Sequence, residues 1–500
     1  MSLQERGPQP KSLLDVRREP NLRGIGTEFD FGGVKEVVVT RTDFPLERAR
    51  WVLKNETIAV IGYGVQGPAQ SLNLKDNGFN VIVGQREGKS FDKAEEDGWA
   101  PGKNLFSIEE AVKKATQMQY LLSDAGQKTE WKKIEPLLKP GDALYFSHGF
   151  SIAYKNQTGV VPPPFVDVIL VAPKGSGRSV RELFQKGRGI NSSFAIAQDA
   201  TGRATERVLA TGMAIGSGFL FPTTFEKEVF SDLTGERGIL MGAFKGLVDG
   251  RYGNLRMLGL SPEEAVRHTV EISTQTIAKI IGEKGADGLI KELSDKLLPA
   301  FSAGLSVAFM ATRPVFEDLY EKVATGVETK RVLEANSKPD YRDQLDSELK
   351  TIRESEFGEA SSFIREQRKN GPIVPSRIEN KLDAIIAGAL VGIMHAQYEI
   401  LRSKGHLPSE AFNETVEEAT QSLYPLIDRQ GIDWMFANCS TTAQRGALDW
   451  NSKFRDAISR PLYDMKEIYY ESVIKNILTS EMWKAGKTVR ELRPENQRIA

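Results

Sequence analysis

Cysteine is almost missing from this 500-residue chain. The single Cys439 excludes an intrachain disulfide framework and a cysteine-based metal site, and it points to a reducing compartment. Histidine is scarce too, at four residues. Charge of either sign is not in excess: 66 Lys and Arg against 67 Asp and Glu leave a formal net charge of -1. Composition therefore gives no electrostatic reason to expect nucleic acid or an anionic membrane as partner. No apolar run reaches the roughly 18 residues of a membrane span, and no signal-peptide pattern is present. The opening residues, 1–28, are polar with scattered Pro and Gly and read as a loosely ordered tail.

What is present is enough chain for two or three domains, since single cores stop growing at roughly 250 to 300 residues. From Thr57, short β-rich runs (TIAVIG, NVIVG, YLLSD, ALYFSH, VDVILVAP) alternate with helical stretches. That alternation predicts an α/β domain with a parallel sheet over 29–223. Beyond Thr224 the strand signal disappears and amphipathic helical patterns take over. Residues 224–369 and 370–500 read as two copies of one helical unit. The stretch 241–277 aligns without a gap on 387–423, Gly242 with Gly388, an offset of 146 (388 minus 242). Identities recur at Gly246/Gly392, Tyr252/Tyr398, Arg256/Arg402 and Pro262/Pro408. The spacing is far longer than that of solenoid arrays, so a duplicated domain is expected.

The run IAVIGYGVQGPAQSLNL (58–74) is a strand, a Gly62-x-Gly64-x-Gln66-Gly67 turn and a helix. Such a turn lets the backbone approach a pyrophosphate at a helix N-terminus, so Gly62, Gly64, Gln66 and Gly67 are candidate dinucleotide-binding residues. After the next strand, GQREGKS offers Arg86, Lys89 and Ser90, a set that favours the 2'-phosphate of NADPH. Glu87 in the same loop counts against it.

Two carboxylate rows stand out. Residues 224–247 read as one long helix with Glu228, Asp232 and Glu236 at i, i+4 and i+8, and by helical angle Glu236 lies inside the apolar stripe. Glu414 and Glu418 form a second pair in FNETVEEATQSL. Buried carboxylates need cations, from Lys or Arg or from a metal. The repeat separates these options. At the offset of 146, Asp232 and Glu236 become Ile378 and Leu382, while Glu414 and Glu418 correspond to His268 and Ile272. Each copy thus holds a different half, and packing about a pseudo-twofold axis would join the halves into one acidic site. Four carboxylates without thiols suit Mg2+ or Mn2+ and could hold two ions about 4 Å apart. His148 in YFSHGF and Lys174 in VAPKGSG each follow a predicted strand, where ligands of open α/β sheets bind.

With these residues assembled, the sequence resembles the ketol-acid reductoisomerase family in its long form, from about Phe29 to Gln497. The likeness rests on GYGVQGPAQSLNL, YFSHGF, VAPKGSG, EVFSDLTGERG, NETVEEATQSLYPL and NCSTTAQRGALDW. It implies a Rossmann-like NADP-binding domain followed by an all-helical, duplicated and knotted domain. The implied activity is Mg2+-dependent alkyl migration in 2-acetolactate or 2-aceto-2-hydroxybutyrate, then NADPH reduction, in branched-chain amino acid synthesis. Asp232 would bridge two Mg2+ ions, with Glu236 on one and Glu414 on the other. Glu418 would bond the substrate hydroxyls and help move protons, Ser440 would hold the substrate carboxylate, and Glu228, His148 and Lys174 would orient waters. The loop after Gly84 is about one residue shorter than is usual in such relatives, which leaves Lys89 the least secure of its three residues. A homo-oligomer is expected, cytoplasmic in a bacterium and in the mitochondrial or plastid matrix in a eukaryote. Two rival readings remain at this point: a metal-free 3-hydroxyacid dehydrogenase and a non-catalytic NADP-binding protein.

Overall fold

The computed structural model describes residues 14–497 except 23, 372 and 467–470. The expected tail falls outside the described residues as far as 13. Its remainder is held to the sheet, Asp15 N donating to Ala197 O at 2.8 Å. The chain forms two compact units, the first from Val39–Pro173 and Ser192–Val229 with the segment up to Thr27, the second from Glu28–Val38, Lys174–Asn191 and Phe230 onward.

Ten strands, β1 (Thr27–Asp30), β2 (Lys35–Thr40), β3 (Ile58–Ile61), β4 (Val81–Gly84), β5 (Leu105–Phe106), β6 (Gln117–Tyr120), β7 (Ala143–Phe146), β8 (Asp167–Pro173), β9 (Ser192–Gln198) and β10 (Phe219–Pro222), lie in the order β1-β2-β10-β9-β8-β7-β6-β3-β4-β5. The stretch from β5 to β8 is parallel, as the alternation predicts. The sheet as a whole is not: β8 pairs β9, and β2 pairs β10, antiparallel. β9 is buried along its whole length, so it carries no alternating pattern from which to read its direction. Order reverses at β3, between β6 and β4, which places the glycine turn at a topological switch point.

The helices that matter below are α1 (Gly67–Asp76), α2 (Lys89–Glu96), α3 (Phe225–Arg237), α4 (Gly242–Met257), α5 (Leu298–Ala324), α6 (Glu356–Gln367), α7 (Lys381–Ser403), α8 (Thr441–Asp464) and α9 (Glu481–Glu491). The single helix predicted over 224–247 is two, α3 and α4. Gln397 Oε1 accepts from Ile239 N at 2.9 Å and Tyr424 Oη donates to Ile239 O at 2.6 Å. Both polar backbone groups of Ile239 are thus satisfied from the other copy, and Met241 leaves helical geometry (φ -140, ψ -59).

Duplication is written in the contacts. Tyr252 and Arg256 both donate to Glu356, and Tyr398 and Arg402, each 146 residues on, both donate to Glu481. Arg368 pairs with buried Glu271 at 3.2 Å and Arg493 with buried Glu417 at 2.6 Å. Here the later partners are 125 apart (481 minus 356, 493 minus 368), so the second copy is 21 residues shorter (146 minus 125) past its α8. The copies also exchange long helices: α4 packs on α8, and α7 on α5. A Cβ at Gly388 of α7 would lie 2.0 Å from Phe301 O, and one at Gly246 of α4 would lie 2.8 Å from Arg455 N, so both crossings need glycine. Among the described residues α7 alone is long and apolar enough to cross a membrane, yet 94% of its apolar window is buried, as suits a central core helix.

Candidate active site

In the first unit, Gly62 follows β3 with φ +103, and a Cβ there would meet the Leu121 backbone at 2.9 Å. Gly67 opens α1 so close to Gly62 that a Cβ would lie 2.1 Å from Gly62 O. A Cβ at Gly64 would meet nothing within 4 Å. The turn is therefore closed by two glycines while the third faces open space, the shape a pyrophosphate requires. Gln66 is the N-cap residue of α1, and Tyr63 N donates to Gln85 Oε1 at 2.9 Å, tying this turn to the end of β4. Beyond β4, Arg86, Glu87 and Lys89 are exposed and Ser90 half-buried, with Lys89 and Ser90 starting α2. Arg86 Nη1 lies 3.5 Å from Glu130 Oε1. His148 follows β7 with Nδ1 3.4 Å from Glu228 Oε2, and the same oxygen accepts from Gly149 N at 2.6 Å. That buried backbone donor fixes the Glu228 carboxylate.

In the second unit, Asp232 comes from α3, and Glu414 and Glu418 from the second copy. Glu414 lies in a π-helical turn, Asn413–Glu417, and Glu418 joins that turn to a second one, Ala419–Leu423. Wider turns of this kind recur at functional sites. The first copy has them as well, at Arg267–Glu271 and Ser273–Ile277, so the geometry belongs to the repeat and the carboxylates are specific to one copy. Phe412, Val416, Ala419 and Leu423 form a buried stripe of this segment, and Glu414 and Glu418 are buried too. One carboxylate oxygen from each of Asp232, Glu414 and Glu418 falls within 4.8 Å of the others.

Lys174, itself buried, sends Nζ to 2.5 Å from Glu414 Oε1 and 3.8 Å from Asp232 Oδ1. One ammonium facing three carboxylates leaves negative charge over. Burial first, then the charges of Glu414 and Asp232, holds the Glu418 carboxyl well above the usual carboxylate range, and its Oε2 has no hydrogen-bond partner. An all-oxygen donor set with uncompensated buried charge fits a hard divalent cation. Glu236 Oε2 lies 3.2 Å from Arg237 Nη1, and the Glu236 charge also pushes the Glu418 carboxyl up. Ser440 is the N-cap of α8 and accepts from Ala443 N at 3.0 Å. At the repeat positions that correspond to the acidic residues, Ile272 and Ile378 are buried and His268 Nδ1 lies 2.6 Å from Asp383 Oδ1, next in sequence to Leu382.

Sequence reasoning missed Ser231, which bridges Glu410 and Glu414 (3.4 and 3.2 Å), together with His406 behind Glu410. The available signal was Glu410 itself, four residues before Glu414 on the same face. A separate polar cavity of about 430 Å³ is lined by repeat-related pairs, Thr274 with Thr420, Gln275 with Gln421 and Arg368 with Arg493, and by none of the candidate site residues.

Residues 52–219 match the family model described as acetohydroxy acid isomeroreductase, NADPH-binding domain, and residues 225–370 and 383–476 match ketol-acid reductoisomerase, C-terminal domain. A relative from Desulfosudis oleivorans, named ketol-acid reductoisomerase (NAD(+)), is 57% identical over 68% of this chain and 97% of its own. The mitochondrial enzyme of Neurospora crassa is 51% identical over 69% of this chain and 86% of its own. The chloroplastic enzyme of Spinacia oleracea is 35% identical but spans 87% of this chain and 75% of its own. A solved NADH-preferring ketol-acid reductoisomerase from an uncultured archean superposes with a TM-score of 0.60 at 29% identity, covering 66% of this chain and 98% of that one. A nicotinamide-binding α/β unit, an acidic cluster shared between two helical copies, and these matches along most of the sequence together place the chain in the ketol-acid reductoisomerase family.

Proposed function

We propose that the protein converts 2-acetolactate or 2-aceto-2-hydroxybutyrate, by alkyl migration and then hydride reduction, into a 2,3-dihydroxy-3-methyl acid for branched-chain amino acid synthesis. The observation that carries this reading is the convergence of Asp232, Glu414 and Glu418 on one buried point beside Lys174. Asp232, Glu414 and, after leaving Arg237, Glu236 would hold two Mg2+ ions. Such ions would supply Lewis acidity for polarising the ketone during alkyl migration. Glu418, whose carboxyl burial and its neighbours push well above the usual carboxylate range, would donate to a substrate oxygen. The Ser440 hydroxyl still has its hydrogen to give to the substrate carboxylate, because it only accepts from Ala443 N. His148 and Glu228 would orient solvent at the turn after β7.

For the hydride donor, the cations of Arg86 and Lys89 and the Ser90 hydroxyl support NADPH. A second reading, NADH, has support from Glu87 in the same loop, from the Arg86–Glu130 pair, and from the NAD(+) name of the Desulfosudis relative. The enzyme would act as a homo-oligomer in the compartment where its organism makes branched-chain amino acids. The deciding assay is oxidation of each cofactor with 2-acetolactate, with Mg2+ and with a chelator. Turnover that survives chelation would remove the metal from the scheme. An NADPH preference that collapses in Arg86→Ala supports the first cofactor reading, and an NADH preference that weakens in Glu87→Gln supports the second.

A further inference from the structure

Behind Glu414 runs a buried hydrogen-bonded file of side chains. Tyr320 Oη lies 2.9 Å from His406 Nε2, and His406 Nδ1 lies 2.9 Å from Glu410 Oε2. Glu410 Oε1 and Glu414 Oε1 then share the Ser231 hydroxyl, at 3.4 and 3.2 Å. His406 and Ser231 are fully buried and Glu410 nearly so. An imidazole with its proton on Nδ1 satisfies both of its contacts at once, donating to Glu410 and accepting from the Tyr320 hydroxyl.

The file is not shared by the two copies of the repeat. Glu410 corresponds to Glu264, which in the first copy is an exposed capping-box residue bonded to Ser261 at the start of a short helix. In the second copy the Ser261 position is Leu407, which has no side-chain cap to offer. The helix start is instead served by Glu36, whose carboxylate accepts from Ser409 N at 3.0 Å and from Ser409 Oγ. Glu410 is thereby released from capping and turned inward. His406 corresponds to Leu260, and Ser231 to Arg377. Three positions differ between the copies together with the carboxylates themselves, and the resulting groups connect in a row to Glu414.

We propose that Ser231, Glu410 and His406 are positioning residues for Glu414, fixing the orientation in which its carboxylate meets a divalent cation. This rests on the metal reading given under Proposed function. Groups bonded to metal ligands typically change metal affinity or activity 10- to 100-fold when removed. The Ser231 hydroxyl can donate to one carboxylate at a time. Glu410, secured from behind by His406, sets where that hydroxyl stands, and so where Glu414 Oε1 stands.

The test is Mg2+ binding by titration calorimetry on the full-length protein, with unfolding midpoints measured in chelator alongside. Ser231→Ala and Glu410→Leu should raise the Mg2+ dissociation constant about 10- to 100-fold. Ser231→Thr, which keeps a hydroxyl, should restore it to near wild type, and high Mg2+ should recover much of kcat. A purely structural file would lower the unfolding midpoint and leave Mg2+ affinity alone. An unchanged Mg2+ constant in both variants, while Asp232→Asn abolishes binding, overturns the positioning role and leaves the metal reading standing. Undiminished Mg2+ binding in Asp232→Asn overturns both. If Ser231→Ala does not fold, Glu410→Leu decides by the same constant, with Glu410→Gln, which still accepts a hydrogen bond, expected near wild type.

Discussion

Replacing Lys174 with methionine isolates the charge balance of the acidic cluster, since methionine keeps most of the stem and removes the ammonium. In the wild type, Nζ is 2.5 Å from a fully buried Glu414 and 3.8 Å from Asp232. Removing one partner of a buried ion pair costs about 3 to 5 kcal/mol, because the remaining charge keeps its desolvation penalty. For a cooperative unit of roughly 300 residues this is a fall of about 5 to 8 °C in unfolding midpoint. The cost should grow with pH. The ammonium lowers the already raised pKa of Glu418, so without it that folded pKa rises further; the stability is present at low pH, where the carboxyl is protonated in both states, and is lost as pH rises through the folded value. Saturating Mg2+ should reverse most of the loss, since the ion binds the folded cluster and supplies the missing positive charge. The assay is calorimetric unfolding of Lys174→Met and wild type at pH 5.5 and 8, with Mg2+ and with chelator. Equal midpoints for the two proteins in chelator at pH 8, or an equal Mg2+-induced rise in both, would refute the view that Lys174 is the resident counter-charge of a cation site.

Asp232→Asn should abolish alkyl migration at millimolar Mg2+ while leaving nicotinamide binding, followed by fluorescence, close to wild type. Burial pushes the Glu36 carboxyl up to about 7. The folded state therefore holds its proton more tightly than the unfolded chain, and stability falls by up to about 3 kcal/mol as pH climbs from near 4.5 through 7. Glu36→Gln should show a shallower slope across that window in denaturant titrations, the remainder belonging to groups such as Glu271, also pushed up to about 7; a parallel pH slope in both proteins would show that Glu36 does not titrate there. Asp232→Asn chains co-assembled with Glu414→Gln chains should stay at background activity, because a single chain brings both residues to one site. Recovery of about a quarter of wild-type activity in proven mixed oligomers would place the site between chains.

The features legible in sequence were those set by local rules or by the repeat. The glycine turn could be read because Gly62 and Gly67 answer to backbone sterics alone. The acidic cluster could be read because comparing copies exposed Glu414 and Glu418 as departures from a shared pattern. The break at Ile239 could not be read, since it is imposed by Gln397 and Tyr424, more than 150 residues away. The π-helical turns left no mark because an apolar stripe of period 3.6 looks the same over so short a segment. The direction of β9 was hidden by its complete burial, and the contact of Ser231 with Glu414 by the 183-residue separation between them, which no spacing rule spans.

The exchange of α4 and α7 between copies bears on how the chain is made. During synthesis α4 is finished at Met257, but the helix it packs on, α8, ends only at Asp464. At about 5 to 20 residues per second, the apolar face of α4 waits roughly 10 to 40 s for its partner, far longer than local helix formation takes. The first copy therefore cannot complete its core as it leaves the ribosome. A nascent chain arrested near residue 380 should remain sensitive to protease through α4 and α5, while Val39–Pro173 is already protected.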